Sequence, residues 1–382
     1  MRLLHTADLH IGKTVNDFSM LEDQKYILEQ IKNIALYNEV DGVVIAGDIY
    51  DRAIPAGEAV MLLNDFLTEL SKKGIAVYLI SGNHDSPERI SFGENLLANQ
   101  RVFIGGVYRG KLPVFQAEDK WGTVEIVLLP FVRPAQADAR TSEEAVAKLL
   151  QGYFEEEKKE KNTKEKKRRV LVTHYFVTDA GREPELSDSE TTIHVGGLDN
   201  VEASLFKDFD YVALGHIHKP QKIGDKPVYY SGSPLKYSFG EVNQTKSVLL
   251  IELTKEGLSG VEPIPLKPLR EMRKVKGSLE EIMERVVNDG AGREDYIQAV
   301  LTNQEELIDP IGTLRSVYPN IMQIVREEKK EKTSVTAGSF TVGKREPEAL
   351  FEEFYETVRG EKLADKGKEL IEEVVKKLEG GL

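Results

Sequence analysis

Five apolar runs in this chain each end in Asp, His or Asn, and that repetition constrains the fold more than any other feature. Leu3-Leu4-His5-Thr6-Ala7 leads into Asp8-Leu9-His10, and Val43-Val44-Ile45-Ala46 leads into Gly47-Asp48-Ile49-Tyr50-Asp51. Val77 to Gly82 runs into Asn83-His84-Asp85, Val170 to Thr173 into His174, and Tyr211 to Gly215 into His216-Ile217-His218. Short β-branched runs bounded by glycine read as strands buried on both faces. Open α/β sheets present their chemistry outside the carboxyl ends of such strands. Leu21 to Ala35 and Pro55 to Leu70 carry apolar residues at helical spacing, the second with a proline-led start and Gly74 past its end. Strands alternating with helices up to about residue 255 predict a parallel-rich α/β sheet with right-handed crossovers. The later runs Val124–Leu129, Val228–Ser231 and Ser247–Leu253 are joined by turns, which predicts antiparallel partners for part of the second half.

Five of the seven histidines sit in those strand-end motifs: His10, His84, His174, His216 and His218. A lone histidine at a strand end is usually structural, but five beside Asp8, Asp48 and Asn83 would be costly to desolvate without a cation. The chain has no cysteine, which removes disulfides, thiolate metal sites and cysteine nucleophiles. Imidazole, carboxylate and amide oxygen without sulfur suit manganese, iron or zinc. One aspartate can bridge two such ions. Two metals about 3.5–4 Å apart can hold a hydroxide between them and grip a phosphate for in-line displacement. His5 lies inside the first strand and reads as a packed core histidine, and His194 reads as a loop residue. Asp51 and Arg52 are candidates for supporting the metals or meeting the phosphate.

At 382 residues, 40% of them hydrophobic, two or three domains are expected. No apolar run reaches the length of a membrane span, and Met1 to Asp8 lacks a signal peptide's apolar stretch, so a cytoplasmic protein is expected. The formal charge of −13 leans away from nucleic acid, whose binding usually rests on a basic surface. Carboxylates gathered around divalent metals soften that objection. Glu155 to Arg169 is almost wholly charged and reads as a solvated helix end or loop, with a DNA-contacting arm as the alternative.

Pro263, Pro265 and Pro268 mark a linker. Beyond it, strands at Met272–Val275, Tyr296–Leu301 and Ile321–Val325 alternate with helical stretches at Leu279–Val287 and Ile311–Val317, and Ser278 with Glu281 fits a capping box. This predicts a separate α+β module of about sixty residues. Residues 329–343 read as a flexible linker. Two amphipathic helices follow. Leu350, Phe351, Phe354, Tyr355 and Val358 share a face of the first, and Leu370, Ile371, Val374, Val375 and Leu378 share a face of the second. They either pack on the body of the protein or form a partner-binding hairpin.

The ordered set Asp-x-His, Gly-Asp-x-x-Asp, Gly-Asn-His-Asp, His, Gly-His-x-His resembles the calcineurin-like metallophosphoesterases. Residues 195–221, Tyr230-Ser-Gly-Ser-Pro-Leu and Ser238-Phe-Gly-Glu241 resemble the SbcD family, the bacterial branch of the meiotic recombination (MRE-eleven) nucleases. The resemblance implies an α/β metallophosphoesterase sandwich, two mixed sheets flanked by helices, over residues 1–260. It implies a small α+β capping domain at 270–328 that orients DNA, and a C-terminal helical pair at 344–382. It also implies Asp8, His10 and His218 on one metal, Asn83, His174 and His216 on a second, and Asp48 between them. His84 would act at the phosphate, oriented by Asp85. Asp51 stands where some relatives carry histidine. The implied activity is manganese-dependent DNA cleavage, 3′–5′ exonuclease on duplex ends and endonuclease on single strands and hairpins, in double-strand-break repair. The implied partners are DNA, a second copy of the chain and an SMC-like ABC ATPase of the SbcC type gripped by the helical pair. Candidate dimer surfaces include the apolar helices between Met20 and Leu70. A metallophosphoesterase acting on a non-DNA phosphate ester is the alternative, and a DNA-end scaffold with a vestigial site is a further one.

Overall fold

The computed structural model describes residues 1–159, 167–187, 199–303, 305, 307–327, 351, 355, 367, 368 and 371. These fall in two compact units, Met1–Glu327 and Glu328–Leu382. The first unit opens with β1 (Arg2–Thr6), α1 (Leu21–Tyr37), β2 (Gly42–Ala46), α2 (Gly57–Lys72), β3 (Ala76–Ile80) and β4 (Val102–Gly105). A hairpin of β5 (Val114–Asp119) and β6 (Gly122–Leu129) leads to α3 (Ser142–Lys159) and β7 (Arg168–His174). Then come β8 (Tyr211–Gly215), β9 (Gln221–Lys222), β10 (Val228–Tyr230), β11 (Ser247–Thr254) and β12 (Gly257–Pro265).

Two six-stranded mixed sheets result, ordered β12-β11-β1-β2-β3-β4 and β9-β10-β8-β7-β6-β5. In the first, β1 to β4 are parallel and β11 joins antiparallel to β1. In the second, β6, β7, β8 and β10 are parallel. The sheets face each other, and strand alternation builds the layers. Val44 and Ala46 of β2 meet Ile126, Leu128, Val170 and Val172 between the sheets. Val43 and Ile45 turn outward to α1 and α2, packing with Ile27, Ile31, Leu63 and Phe66. On the far side, Val127 and Leu171 pack with Val146 and Leu149 of α3. Both faces of each sheet are therefore covered, which is why the central strands read as unbroken apolar runs. The parallel strands of both sheets send their carboxyl ends to one edge of this sandwich.

Two local expectations are corrected. Pro263 and Pro265 do not begin a linker: they lie on β12, opposite Leu249 and Ser247. An edge strand tolerates proline because its outer N–H groups have no ladder partner. Pro55 does not lead α2 either; the helix starts at Gly57 after an extended Ala56.

At the second sheet's lower corner, Arg168 Nη1 and Nη2 donate to both Asp119 oxygens at 2.8 and 2.7 Å. Both side chains are buried. The guanidinium holds the Asp119 carboxyl below its usual range. A depressed pKa contributes stability above the unfolded value of about 4, which is lost as pH falls through the folded value. Asp119→Asn should therefore destabilise the protein by about 3 kcal/mol at neutral pH, since it strands a buried cation. In thermal melts the difference from wild type should shrink below about pH 4.

The remaining elements of this unit are β13 (Met272–Gly277), α4 (Leu279–Asp289), β14 (Tyr296–Leu301), α5 (Pro310–Arg315) and β15 (Ile321–Arg326). The three strands are parallel, in the order β13-β14-β15. They have their own core around Ile282, Ile297, Leu314 and Ile321. Ser278 and Glu281 form a reciprocal capping box at the start of α4. The module is seated on α1: buried Asp23 accepts from Arg270 Nη1 and from Tyr296 Oη, both at 2.7 Å. Lys236 meets Glu271 at 2.7 Å beside it.

In the second unit, Phe351, Tyr355, Gly367, Lys368 and Ile371 are helical. Leu350, Phe354, Val358, Leu370, Val374, Val375, Leu378 and His194 lie outside the described residues. So do the linker at 329–343 and most of the charged stretch between α3 and β7.

Candidate metal centre

The strand ends deliver their polar residues to one place. Asp8 and His10 follow β1, Asp48 follows β2, Asn83 and His84 follow β3, His174 closes β7, and His216 and His218 follow β8. Among the described residues, three overlapping groups could each hold an ion: Asp8, His10 and His218; His10, Asp48 and His84; Asp8, Asp48 and His174. Asp48 stands in the middle, its Oδ2 3.7 Å from His10 Nε2 and 3.4 Å from His174 Nε2. Asn83 Oδ1 lies 2.9 Å from His174 Nε2 and 3.0 Å from His216 Nδ1. Nε2 of His10 and Nε2 of His218 approach to 3.2 Å.

The backbone is bent to achieve this. Asp8, His10, Asp48 and His216 all have positive φ, from 43° to 99°. That region is sparsely populated for side-chain-bearing residues and is usually kept where a site needs it. Glycine permits the close approaches. A Cβ on Gly82 would lie 2.1 Å from Asp48 Oδ1, and one on Gly215 would overlap the Ala46 carbonyl oxygen.

The donor set fits divalent cations. Asp8 Oδ2 and His10 Nδ1 are buried without a hydrogen-bond partner among the described residues. Burial raises the Asp8 carboxyl to about 7, against the pull of His174 and His218. Burial drives His10 well below its usual range. It also works against the His174 cation, yet Asp48 lifts that ring to about 9. A divalent ion requires neutral imidazoles and ionised carboxylates, so its binding here would displace the protons that Asp8 and His174 otherwise retain. His5 belongs to none of this. It is fully buried 3.0 Å from the Tyr211 hydroxyl, and burial lowers it to about 3.

Asp85 departs from expectation. Its carboxylate does not meet His84 but accepts from the backbone N–H of Ile49, Tyr50 and Gly82 at 2.8–3.0 Å. It ties the loop after β2 to the loop after β3. His84 Nδ1 instead lies 3.1 Å from the Asp51 carbonyl oxygen, and its N–H donates to Asp48 Oδ1 at 2.9 Å. The ring is about a third exposed, with Nε2 4.0 Å from Asp48 Oδ2. Asp51 pairs with Lys13 at 2.7 Å and reaches within 3.7 Å of His10 Nδ1. Arg52 is largely exposed, with Nε 3.7 Å from Asp51 Oδ2.

A ring of supports had no strand-end signature to reveal it. Gln24 of α1 donates to the His10 carbonyl oxygen at 2.7 Å and accepts from Gly12 N–H at 2.9 Å. Tyr237 donates its hydroxyl proton to the Leu9 carbonyl oxygen. Buried Glu241 lies 3.3 Å from His218 Nδ1.

A family model described as calcineurin-like phosphoesterase matches residues 1–220. The SbcD subunit of nuclease SbcCD from Staphylococcus epidermidis is 31% identical over 379 residues, spanning 97% of this chain and 98% of that protein. The chain belongs to the SbcD family of calcineurin-like phosphoesterases. A second SbcD relative, from Staphylococcus saprophyticus subsp. saprophyticus, is 30% identical over 383 residues, with 98% of each chain covered. A model described as the type 5 capsule protein repressor C-terminal domain matches residues 268–359, which include β13 to β15. The double sandwich is thus a calcineurin-like metallophosphoesterase fold, and the SbcD chain is a metal-dependent phosphodiesterase. No helix among the described residues is long and apolar enough to cross a membrane.

Proposed function

We propose that this SbcD chain is the DNA-cutting subunit of a double-strand-break repair complex. Its activities are 3′–5′ exonuclease on duplex ends and endonuclease on single strands and hairpins. The observation that carries the reading is the convergence of Asp8, His10, Asp48, His174 and His218 at one sheet edge, in a chain aligned end to end with proteins named as nuclease subunits. Asp8, His10 and His218 would hold one ion and Asn83, His174 and His216 another, with Asp48 serving both. Nitrogen and oxygen donors without sulfur suit manganese, iron or zinc alike, and manganese is the ion that the family resemblance implies. When bound, the two ions supply an activated water and neutralise charge on the phosphate.

The chain's own residues do the rest. His84, with Nδ1 against the Asp51 carbonyl, presents Nε2 to the phosphate and as a cation carries a proton to the leaving oxygen. Asp85 keeps His84 in place by fixing the loop beneath it. Arg52, exposed at the rim, is available to a second phosphate of the strand.

The proposed domain plan is a nuclease domain at 1–260, a DNA-orienting capping domain at 270–328, a linker at 329–343 and a helical pair at 344–382. The pair would grip the coiled coil of an SbcC-type ATPase. A homodimer would form through the apolar face of the helices between Met20 and Leu70, where Tyr26, Val60 and Met61 are exposed. In a chelation test, cleavage of linear DNA should disappear with EDTA and return with excess manganese. Cleavage that persists in EDTA would contradict the metal assignment.

A further inference from the structure

The three histidines proposed to share the site with His10 are not held alike. His174 Nδ1 lies against the Ala46 carbonyl oxygen at 2.8 Å, and His216 Nδ1 against Asn83 Oδ1 at 3.0 Å. His218 Nδ1 faces a carboxylate instead, that of Glu241 at 3.3 Å. Glu241 is fully buried on the short helical turn Phe239–Glu241 and belongs to none of the three metal-binding groups described above.

Its other oxygen meets Lys246 Nζ at 2.7 Å, and Lys246 is also buried. Lys246 donates further to the His218 carbonyl oxygen at 2.9 Å and to Ser233 Oγ at 3.0 Å. Tyr237 N–H and Ser238 Oγ complete the cradle around Glu241, each at 3.3 Å. The lysine and glutamate cancel in charge. The pair therefore adds no net charge to a site that already holds two aspartates, and what it contributes is orientation. Lys246 grips both the carboxylate and the main chain of the very histidine that carboxylate faces.

We infer that Glu241 is a positioning residue of the metal site: it accepts the Nδ1 proton of His218, fixing the ring's tautomer and plane so that Nε2 points at the ion, while Lys246 locks the carboxylate. The inference rests on His218 being a ligand, as proposed above. A carboxylate behind a ligating imidazole orients it and raises its basicity, and losing such a partner typically weakens metal binding about 10–100-fold.

The test is a calorimetric manganese titration of the metal-free full chain. Wild type should take up two ions. Glu241→Met/Lys246→Met removes the acceptor but replaces a buried ion pair by apolar groups of similar size, which proteins commonly tolerate. It should keep its melting temperature and bind one ion about 10–100-fold more weakly. Glu241→Gln/Lys246→Met, whose amide oxygen can still accept and which leaves no buried cation unpaired, should recover most of that loss. His218→Ala separates the two readings. If it still binds both ions as wild type does, the ligand assignment fails. If it loses one while the double Met variant binds both unchanged, the positioning role is overturned and the pair is only structural.

Discussion

His84→Ala should lower DNA cleavage by about 10²–10⁴-fold, the range for losing a positioned general acid, while leaving DNA binding and metal uptake intact. The separation follows from geometry. His84 Nε2 is 4.0 Å from Asp48 Oδ2 and its ring is partly open to solvent, whereas Asp8, His10, Asp48 and His174 are buried. The contact that secures Asp48 comes from the His84 backbone N–H, which alanine retains. Single-turnover cleavage and an electrophoretic binding assay on the same hairpin would check it. Binding lost together with cleavage would assign His84 to substrate affinity instead.

Asp48→Ala should be more damaging, and for a different reason. Its Oδ2 lies within 4.0 Å of His10, His84 and His174, so one carboxylate serves both halves of the cluster. Its Oδ1 accepts from the His84 N–H. Removing it should weaken both ions together and forfeit several kcal/mol of transition-state stabilisation, about 10³-fold or more in rate at a factor of ten per 1.4 kcal/mol. A metal titration read alongside cleavage distinguishes the cases. Loss of one ion with the other unchanged would show that Asp48 serves a single metal.

Much of this arrangement is legible in the sequence alone. Strand-end motifs announce themselves because buried apolar runs are continuous and the residues that end them are chemically alike: Asp8, Asp48, Asn83, His174, His216. The three-stranded module at Met272–Arg326 is legible from period and caps, down to Ser278 and Glu281. Legibility fails where sequence neighbourhood and spatial neighbourhood part. Asp85 adjoins His84 in the chain, yet its carboxylate turns to three backbone N–H groups on the other side. Pro263 and Pro265 look like punctuation because proline usually breaks strands, but an edge strand spares them the lost hydrogen bond. Gln24, Tyr237 and Glu241 support the site from a helix and a loop over 200 residues apart, and no local pattern links them. Only the folded chain brings them to His10 and His218.

The central claim is that this cluster cleaves DNA. The direct test is to offer the purified full chain, with manganese, linear duplex DNA, hairpin DNA and a simple aryl phosphate monoester side by side. The account predicts cleavage of both DNAs and little turnover of the monoester. Turnover of the monoester with both DNAs left intact would contradict it, and would mean that the metal centre serves a different phosphate ester.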